Sequence, residues 1–305
     1  MNIVSLLPSA TEIVYALGLG EDLAAVTYEC DYPPEAQSKP VVVRTALAAD
    51  QPLPPGEIDR MVRERMDRKE PIYDLDRDLI RRIQPDLILA QDLCRVCAVP
   101  SGHVQEALDD LGTNARLLSL DPNDLQGILA GIEEVGRATG TDDLAAELTR
   151  SLRERIDAVK RTAARLPTIR TFCLEWLDPP FAGGHWIPEM VELAGGENLL
   201  NDKGIPSRVV AWREVADAQP EVVVFMPCGY YLPEAEEEAV RIYAVPEFKE
   251  TSASSAQNVL AVDASSFFSR PGPRIVDGLE ILAWAIHPDA FPEPPHGTVT
   301  RIARR

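Results

Sequence analysis

The sequence predicts an α/β protein made of two Rossmann-like lobes with parallel sheets, joined by one long rigid α-helix. Three observations lead to this prediction: a strand motif that occurs twice, a long amphipathic segment between its copies, and short apolar runs that alternate with helical segments. The motif reads QPDLILA at residues 84–90 and QPEVVVF at residues 219–225. Its apolar runs contain no polar alternation, which is typical of parallel strands covered on both faces.

The N-terminal half alternates strands and helices. A strand over residues 3–7 leads into Ser9-Ala10-Thr11-Glu12, which has the spacing of a helical capping box. A second strand over residues 23–27 is followed by Pro33 and Pro34, which force a loop. Residues 125–139 are predicted to form a helix.

Residues 141–166 are predicted as the connecting helix. Apolar side chains recur there at helical spacing, namely Leu144, Leu148, Leu152, Ile156 and Val159. Pro167 ends the helix. The predicted domains are therefore an N-terminal lobe over residues 1–140, the connecting helix, and a C-terminal lobe over residues 167–289. A proline-rich tail over residues 290–305 is expected to be loosely held.

Composition and charge exclude several classes of function. The formal net charge of -19 argues against nucleic acid or an anionic membrane as a partner. No apolar stretch approaches the roughly 20 residues of a membrane span. The N-terminus has neither the basic start nor the apolar core of a signal peptide, so a cytoplasmic location is expected. No nucleophile–base pattern, phosphate loop or paired-carboxylate signature occurs, and we expect no catalytic activity.

The cysteines form the first group of candidate site residues. Cys94 and Cys97 make a C-x-x-C motif between a strand and a helix, and a helix start favours the thiolate. Cys30 and Cys228 follow other strands, so the four thiols could converge on a metal ion or an iron–sulfur cluster. Two other interpretations stay open: cysteine is also a common small buried residue, and the C-x-x-C pair could be redox-active.

Aromatic residues form the second group, because loops at the carboxyl ends of strands carry ligands in open α/β sheets. The two lobes are expected to face one cleft. These rings would line the cleft, although some of them could instead complete the core of a lobe. The rings chosen as ligand-binding are Trp176, Phe181, Trp186, Phe267 and Phe268. His185 is a candidate axial ligand or polar contact, and Arg270 is a candidate partner for ligand carboxylates or amides. The run Glu236-Glu237-Glu238 is interpreted as a solvated helix face.

Several segments together resemble a known family. They are SLLPSATEIVYALGLG, TYECDYPPE, QPDLILAQD, DPPFAGG, GGENLL and RPGPRI. They are similar to the helical-backbone class (class III) of periplasmic binding proteins, which serve ABC-type importers of cobalamin, siderophores and haem. The runs Asp31-Tyr32-Pro33-Pro34 and Pro179-Pro180-Phe181 resemble the cobalamin-binding branch.

The resemblance implies a non-catalytic protein that binds a cobalamin-like corrinoid, or a related small-molecule metal chelate, between its lobes. It adds Tyr32 to the candidate ligand-binding residues. The place of the family's cleft tyrosine falls on Glu29, with Tyr28 beside it. The alternative function is a thiolate metal or iron–sulfur protein on the same fold, which would use Cys30, Cys94, Cys97 and Cys228.

Two departures from the family pattern affect these expectations. The family's Asp-Trp-Phe pattern before the last helix is Ser266-Phe267-Phe268 here, so an acidic contact is missing. The acidic residues by which such proteins dock on a permease are replaced by Gly102-His103 and Arg213-Glu214. These replacements put permease docking in doubt.

Overall fold

The computed structural model describes residues 1–46, 60–61, 64–65, 68, 70, 72–92 and 114–304. The chain divides into two compact units. The N-terminal unit comprises residues 1–121 and 130–148, and the C-terminal unit comprises residues 122–129 and 149–305. Each unit contains one sheet with helices, so the predicted two-lobed α/β architecture is confirmed. Of the described helices, none combines the length and the apolar character that crossing a bilayer requires.

The sheet of the N-terminal unit has the strand order β4-β3-β2-β1-β5-β6. Its strands are β1 (Ile3–Ser5), β2 (Leu23–Thr27), β3 (Val41–Thr45), β4 (Tyr73–Leu75), β5 (Leu87–Ala90) and β6 (Arg116–Ser119). Neighbouring strands are parallel except for the edge pair β3–β4. The parallel centre agrees with the prediction, and the antiparallel edge makes the sheet mixed.

The helices of this part of the chain follow the predicted pattern with one correction. They are α1 (Pro8–Ala16), α2 (Arg77–Ile83), α3 (Leu125–Thr139) and α4 (Asp142–Ala163), with a 3₁₀ turn over Pro34–Ser38. The predicted capping box at Ser9 is wrong: α1 begins at Pro8, whose fixed φ suits the first helical position, and Leu7 is the N-cap residue without a side-chain bond. Thr11 is instead fully buried.

The sheet of the C-terminal unit has the order β10-β8-β7-β11-β12-β13, with β9 also paired to β7. Its strands are β7 (Ile169–Leu177), β8 (Pro180–Ala182), β9 (Gly196–Asn198), β10 (Arg208–Val209), β11 (Val222–Phe225), β12 (Val259–Val262) and β13 (Val299–Arg301). The central pairs β7–β11 and β11–β12 are parallel, and both edges are antiparallel. This sheet is also mixed.

Helices connect these strands. They are α5 (Ile187–Leu193), α6 (Trp212–Ala218), α7 (Leu232–Ala239), α8 (Ser252–Ser255), α9 (Ala264–Phe267) and α10 (Ile275–Ile286). The core of the unit is built around Phe172, Phe225 and Phe248, each of which is fully buried. Of the predicted ligand residues, Phe267, Phe268 and Arg270 follow β12, and Trp176 lies near the carboxyl end of β7.

The repeated motif has the same structure in both units. Gln84 and Gln219 end helices α2 and α6 in the left-handed conformation, with φ of 48° and 47°. The apolar runs that come next form β5 and β11, and every residue in both strands is buried. The prediction of two buried parallel strands is confirmed.

The acidic residue of the motif bonds the neighbouring strand in each unit. Asp86 accepts a hydrogen bond from the backbone N–H of Asn2 at 2.7 Å, directly before β1. Glu221 accepts one from the backbone N–H of Arg170 at 3.1 Å, within β7. The repeat therefore includes a contact that ties each motif strand to its parallel partner.

Helix α4 is slightly shorter than its predicted range. It ends at Ala163, where Arg165 and Leu166 turn back through hydrogen bonds to Thr162 and Ala163. Its 22 residues correspond to roughly 33 Å at the usual helical rise. The boundary between the two units falls within α4 and also within α3.

The expectation of a loosely held tail is wrong for its C-terminal part. Strand β13 pairs antiparallel with β12. Ile302 is 4% exposed and belongs to the C-terminal core. The proline-rich sequence obscures this because the strand is short and its partner lies some forty residues earlier, as in the pair Leu260 and Arg301.

The anchoring of the tail can be tested with Ile302→Ala. Removing a buried isoleucine side chain is expected to lower the free energy of unfolding by about 2–4 kcal/mol, measured by urea denaturation. Ile205→Ala is the matched control because Ile205 is 49% exposed, and it should change stability by less than about 0.5 kcal/mol. Equal effects of the two substitutions would contradict a packed tail.

Candidate functional site

In the N-terminal unit, the segment after β2 presents two tyrosines to the surface. Tyr28 is 42% exposed and Tyr32 is 45% exposed, which is high for aromatic side chains. The hydroxyl of Tyr28 donates to Oε1 of Glu29 at 3.1 Å. Partial burial and the Glu29 carboxylate raise the pKa of Tyr28, so its hydroxyl remains a donor at neutral pH. The structure thus places Tyr28, Glu29 and Tyr32 on one strand end.

Cys30 takes part in a buried polar network behind this segment. Its sulfur lies 3.0 Å from Oγ1 of Thr11. Thr11 donates to Oγ of Ser5 at 2.9 Å, and Ser5 donates to the carbonyl of Leu7 at 2.9 Å. Because the Thr11 proton is used toward Ser5, the geometry fits the Cys30 thiol as the donor to Thr11. Cys30 is therefore a buried member of this hydroxyl network.

Two of the four cysteines predicted as metal ligands lie within the described residues. Cys30 is buried in the N-terminal unit and Cys228 is exposed in the C-terminal unit. Cys94 and Cys97 lie outside the described residues. Within the described part of the chain, no group of three or more His, Cys, Asp or Glu side chains could hold a metal ion. The metal or iron–sulfur site stays a prediction.

In the C-terminal unit, the hairpin β7–β8 brings two predicted ligand residues together. Trp176 and Phe181 are directly paired across the two strands, so their side chains lie on the same face. Tyr230, in the loop after β11, packs against Trp176 in a T-shaped arrangement, with ring centroids 5.7 Å apart and an interplanar angle of 72°. We call the half-buried rings of Trp176 and Phe181 the Trp176 face.

The loop after β8 is locked to the loop before β10. His185 donates its backbone N–H to the carbonyl of Ile205 at 2.7 Å and accepts from the N–H of Gly204 at 2.8 Å. The carboxylate of Glu175 accepts from the N–H of Gly184 at 3.2 Å and from the hydroxyl of Ser207. A Cβ at position 184 would lie 2.1 Å from the backbone nitrogen of Ser207, so this close approach requires glycine.

His185 is held in the left-handed region, with φ of 52°. Its Nδ1 is buried and has no hydrogen-bond partner in the described part of the chain. Burial lowers the pKa of His185, which keeps the imidazole neutral at physiological pH. A neutral imidazole nitrogen could accept a hydrogen bond or ligate a metal.

Trp186 and Phe268 are buried rather than displayed at the surface. Trp186 Nε1 donates to the carbonyl of Phe268 at 2.9 Å, which joins the loop before α5 to the loop after α9. Both side chains are more than nine-tenths buried. Their location supports these loops from within, and their role in binding a ligand stays a prediction.

Phe267 ends helix α9, and Arg270 lies in the loop between α9 and α10. The buried guanidinium of Arg270 donates to the hydroxyl of Tyr231 at 3.3 Å and more weakly to Ser265 at 3.5 Å. The guanidinium of Arg274 lies over the ring of Phe267, 5.5 Å from its centroid. This edge of the unit therefore combines aromatic surface with positive charge.

The positions matched to permease docking are partly described. The two terminal nitrogens of the Arg213 guanidinium, Nη1 and Nη2, donate hydrogen bonds to the carboxylate of Glu250, at 2.8 and 3.0 Å. Glu214 accepts from the backbone N–H of Ala211 at 2.7 Å, and this bond lowers the pKa of Glu214. Gly102 and His103 lie outside the described residues. The expectation about docking stays a prediction.

Two residues near the Trp176 face were not selected from the sequence: Glu175 and Glu238. The interpretation of Glu238 as part of a solvated face is wrong, since its side chain is only 13% exposed. The helical spacing of the sequence could have indicated that Glu238 is partly buried. The buried side of α7 contains Leu232, Ala235 and Ala239, and Glu238 lies three residues after Ala235.

The burial of His185 predicts a pH dependence of stability. Its folded pKa is lowered, so the stabilising contribution is present above the unfolded pKa of about 6.5 and is lost as pH falls through the lower folded pKa. His185→Asn, which tolerates positive φ, should reduce the loss of urea stability between about pH 7 and about pH 5. His296→Asn, at an exposed position, is the control and should keep the wild-type slope. An unchanged slope in the His185 variant would contradict this prediction.

The curated relatives of this chain include vitamin B12-binding proteins from different bacteria. The chain is 27% identical to a vitamin B12-binding protein of Vibrio cholerae over 285 residues, covering 92% of this chain and 86% of that protein. It is 26% identical to a vitamin B12-binding protein of Yersinia pestis over 226 residues, covering 73% and 68% of the two chains.

Solved structures share the fold. The periplasmic vitamin B12 binding protein of Vibrio cholerae matches with a TM-score of 0.67 at 25% identity, covering 93% of this chain and 96% of that one. A periplasmic heme binding protein from Pseudomonas aeruginosa matches with a TM-score of 0.73 at 18% identity, covering 100% and 98%. The Vibrio cholerae protein is named as periplasmic, and the expected cytoplasmic location of this chain is not supported.

The family comparison covers most of the chain. The model of the family described as "Periplasmic binding protein" matches residues 3–265, which include the repeated motif, the loop after β8 and most of both sheets. This match agrees with the two α/β units and with the resemblance found in the sequence. The chain belongs to the periplasmic binding protein family.

Proposed function

We propose that this chain binds a cobalamin-like corrinoid, or a related metal chelate, through the loops at the carboxyl ends of its two sheets. The observation that carries the proposal is the Trp176 face, because paired aromatic rings suit a flat macrocycle. Relatives named for vitamin B12 binding, one of which aligns with 92% of this chain, support the corrinoid over other flat ligands. The bound molecule is released unchanged, without a catalytic step.

Aromatic surface supplies the main part of the expected binding energy. Trp176, Phe181 and Tyr28 each keep part of their ring surface exposed. Covering about 100 Å² of apolar surface on the protein side would contribute about 2.5 kcal/mol. Several such rings are enough to support tight binding once the loss of ligand freedom is included.

Each unit also carries polar groups that suit the rim of a corrin, which has amide side chains. An amide needs both donors and acceptors. Glu29 offers a carboxylate acceptor beside Tyr28, and Tyr231, whose oxygen accepts from Arg270, offers a phenol at the other unit's strand ends. His185 adds a neutral imidazole. This mixture fits a ligand with amide groups better than one that is purely apolar.

The test is a titration of the purified protein with cyanocobalamin, monitored by visible absorption, calorimetry and tryptophan quenching. Saturable one-to-one binding is expected. Trp176→Leu should weaken it at least about fivefold, because one aromatic face is lost. Trp212→Leu is the matched control, since Trp212 packs on Phe248 in the core, and it should change the affinity by less than about twofold.

Parallel titrations distinguish the alternatives. Saturation by haemin with no response to cobalamin would reassign the ligand. Stoichiometric iron or zinc in anaerobically purified protein, with no response to cobalamin, would contradict the proposal and favour the cysteine site. Equal effects of the two tryptophan substitutions would remove the role of the Trp176 face.

A further inference from the structure

Tyr230 stands between Trp176 and a carboxylate of helix α7. Its ring makes a T-shaped contact with Trp176, with ring centroids 5.7 Å apart. Its hydroxyl is hydrogen-bonded to the side chain of Glu238. The three residues form a continuous row from the candidate ligand surface to the inner side of α7.

Glu238 is unusual for its position in an acidic helix. Glu234 and Glu237 are exposed, as expected for α7, whereas the side chain of Glu238 is 13% exposed. A carboxylate loses hydration when it is buried, and burial raises the pKa of Glu238, with a smaller contribution from Asp178. Only two groups compensate among the described contacts: the Tyr230 hydroxyl, and Arg241 at 3.8 Å.

The backbone of Tyr230 is also fixed. Its N–H donates to the carbonyl of Pro227 at 3.1 Å, and its carbonyl accepts from the N–H of Ser265 at 2.9 Å. With the backbone held, the remaining freedom of the ring is its side-chain rotation. A charge-assisted hydrogen bond from the hydroxyl to Glu238 removes that freedom, because both ends of the side chain are then fixed.

We propose that Tyr230 and Glu238 are positioning residues for ligand binding at the Trp176 face. Glu238 orients the Tyr230 ring through its hydroxyl, and the contact of that ring with Trp176 holds the indole in the orientation that receives the ligand. This inference rests on the proposed function. Neither residue needs to touch the ligand, so both act through Trp176.

Three single variants and one double variant test this row of residues by cobalamin titration. Tyr230→Phe keeps the ring and loses the hydroxyl, and Glu238→Ala loses the acceptor, so each should weaken binding about three- to tenfold. Glu238→Gln keeps an oxygen that accepts from Tyr230 and should stay within about twofold of the wild type. The double variant of Tyr230→Phe and Glu238→Ala should bind no more than about twofold weaker than either single variant, since both remove the same bond.

Tyr243→Phe is the matched control. Its hydroxyl donates to the carbonyl of Ile302 at 3.2 Å, and its ring packs on Phe248. This variant also loses a buried phenol bond, yet it should leave the affinity within about twofold. Fully additive losses in the double variant, or a loss in the control equal to that of Tyr230→Phe, would overturn the positioning role.

A readout without ligand separates this inference from the proposed function. The near-ultraviolet circular dichroism of wild type minus that of Trp176→Leu gives the Trp176 signal. The same difference, with and without Trp176→Leu, is then taken in the Glu238→Ala and Tyr243→Phe backgrounds. It should fall by more than about half in Glu238→Ala and persist in Tyr243→Phe, because a side chain that can rotate loses its fixed asymmetric surroundings. If the wild type binds no corrinoid while the signal behaves this way, the proposed function fails and the positioning stands. A retained signal in Glu238→Ala overturns the positioning.

Discussion

The pairing of a buried parallel strand with its neighbour is the constraint on which both units depend. Every backbone N–H and carbonyl in such a strand must find a partner inside the protein. Asp86 and Glu221 extend the pairing by accepting a backbone N–H from the start of the neighbouring strand. This contact supports the registers Ile3–Leu87 and Thr171–Val222. Once the register is fixed, the carboxyl ends of the strands lie level, and the loops after them gather at one edge of each sheet.

In the C-terminal unit, the loop after β8 and the loop before β10 are joined by hydrogen bonds through the side chains of Glu175 and Asn201. Glu175 bonds Gly184 and Ser207, which belong to two different loops. Asn201 adds bonds from its amide nitrogen to the carbonyls of Gly183 and Pro206, at 3.0 and 3.2 Å. A binding surface built on such loops loses little conformational freedom when a ligand arrives, so more of the contact energy remains as affinity. Preorganisation here is a property of the loop backbone as well as of the rings it carries.

Local sequence predicts this fold well where burial is uniform and poorly where contacts are distant. The apolar runs of β5 and β11 are predictable because a strand buried on both faces leaves a continuous apolar signal. The burial of Trp186 depends on the carbonyl of Phe268, 82 residues later, and no local pattern reports it. Glu238 has acidic neighbours that predict a solvated position, whereas its environment is set by Tyr230 from another loop. The aromatic residues at the strand ends were predictable as a group, and their division into surface rings and internal supports was not.

The two copies of the motif keep the same strand, whereas the polar groups found near the sheets differ between the two units. In the N-terminal unit, the hydroxyls of Ser5, at the end of β1, and Thr11 form a network with the Cys30 thiol. In the C-terminal unit, Tyr230 in the loop after β11 bonds the Glu238 carboxylate. The fold therefore constrains the strand more strictly than the side chains at its end, in agreement with the general separation of fold and function. A glutamate that served only solubility would be more stable fully hydrated than at the largely buried position of Glu238. Its burial beside the Tyr230 hydroxyl agrees with the positioning role proposed for it.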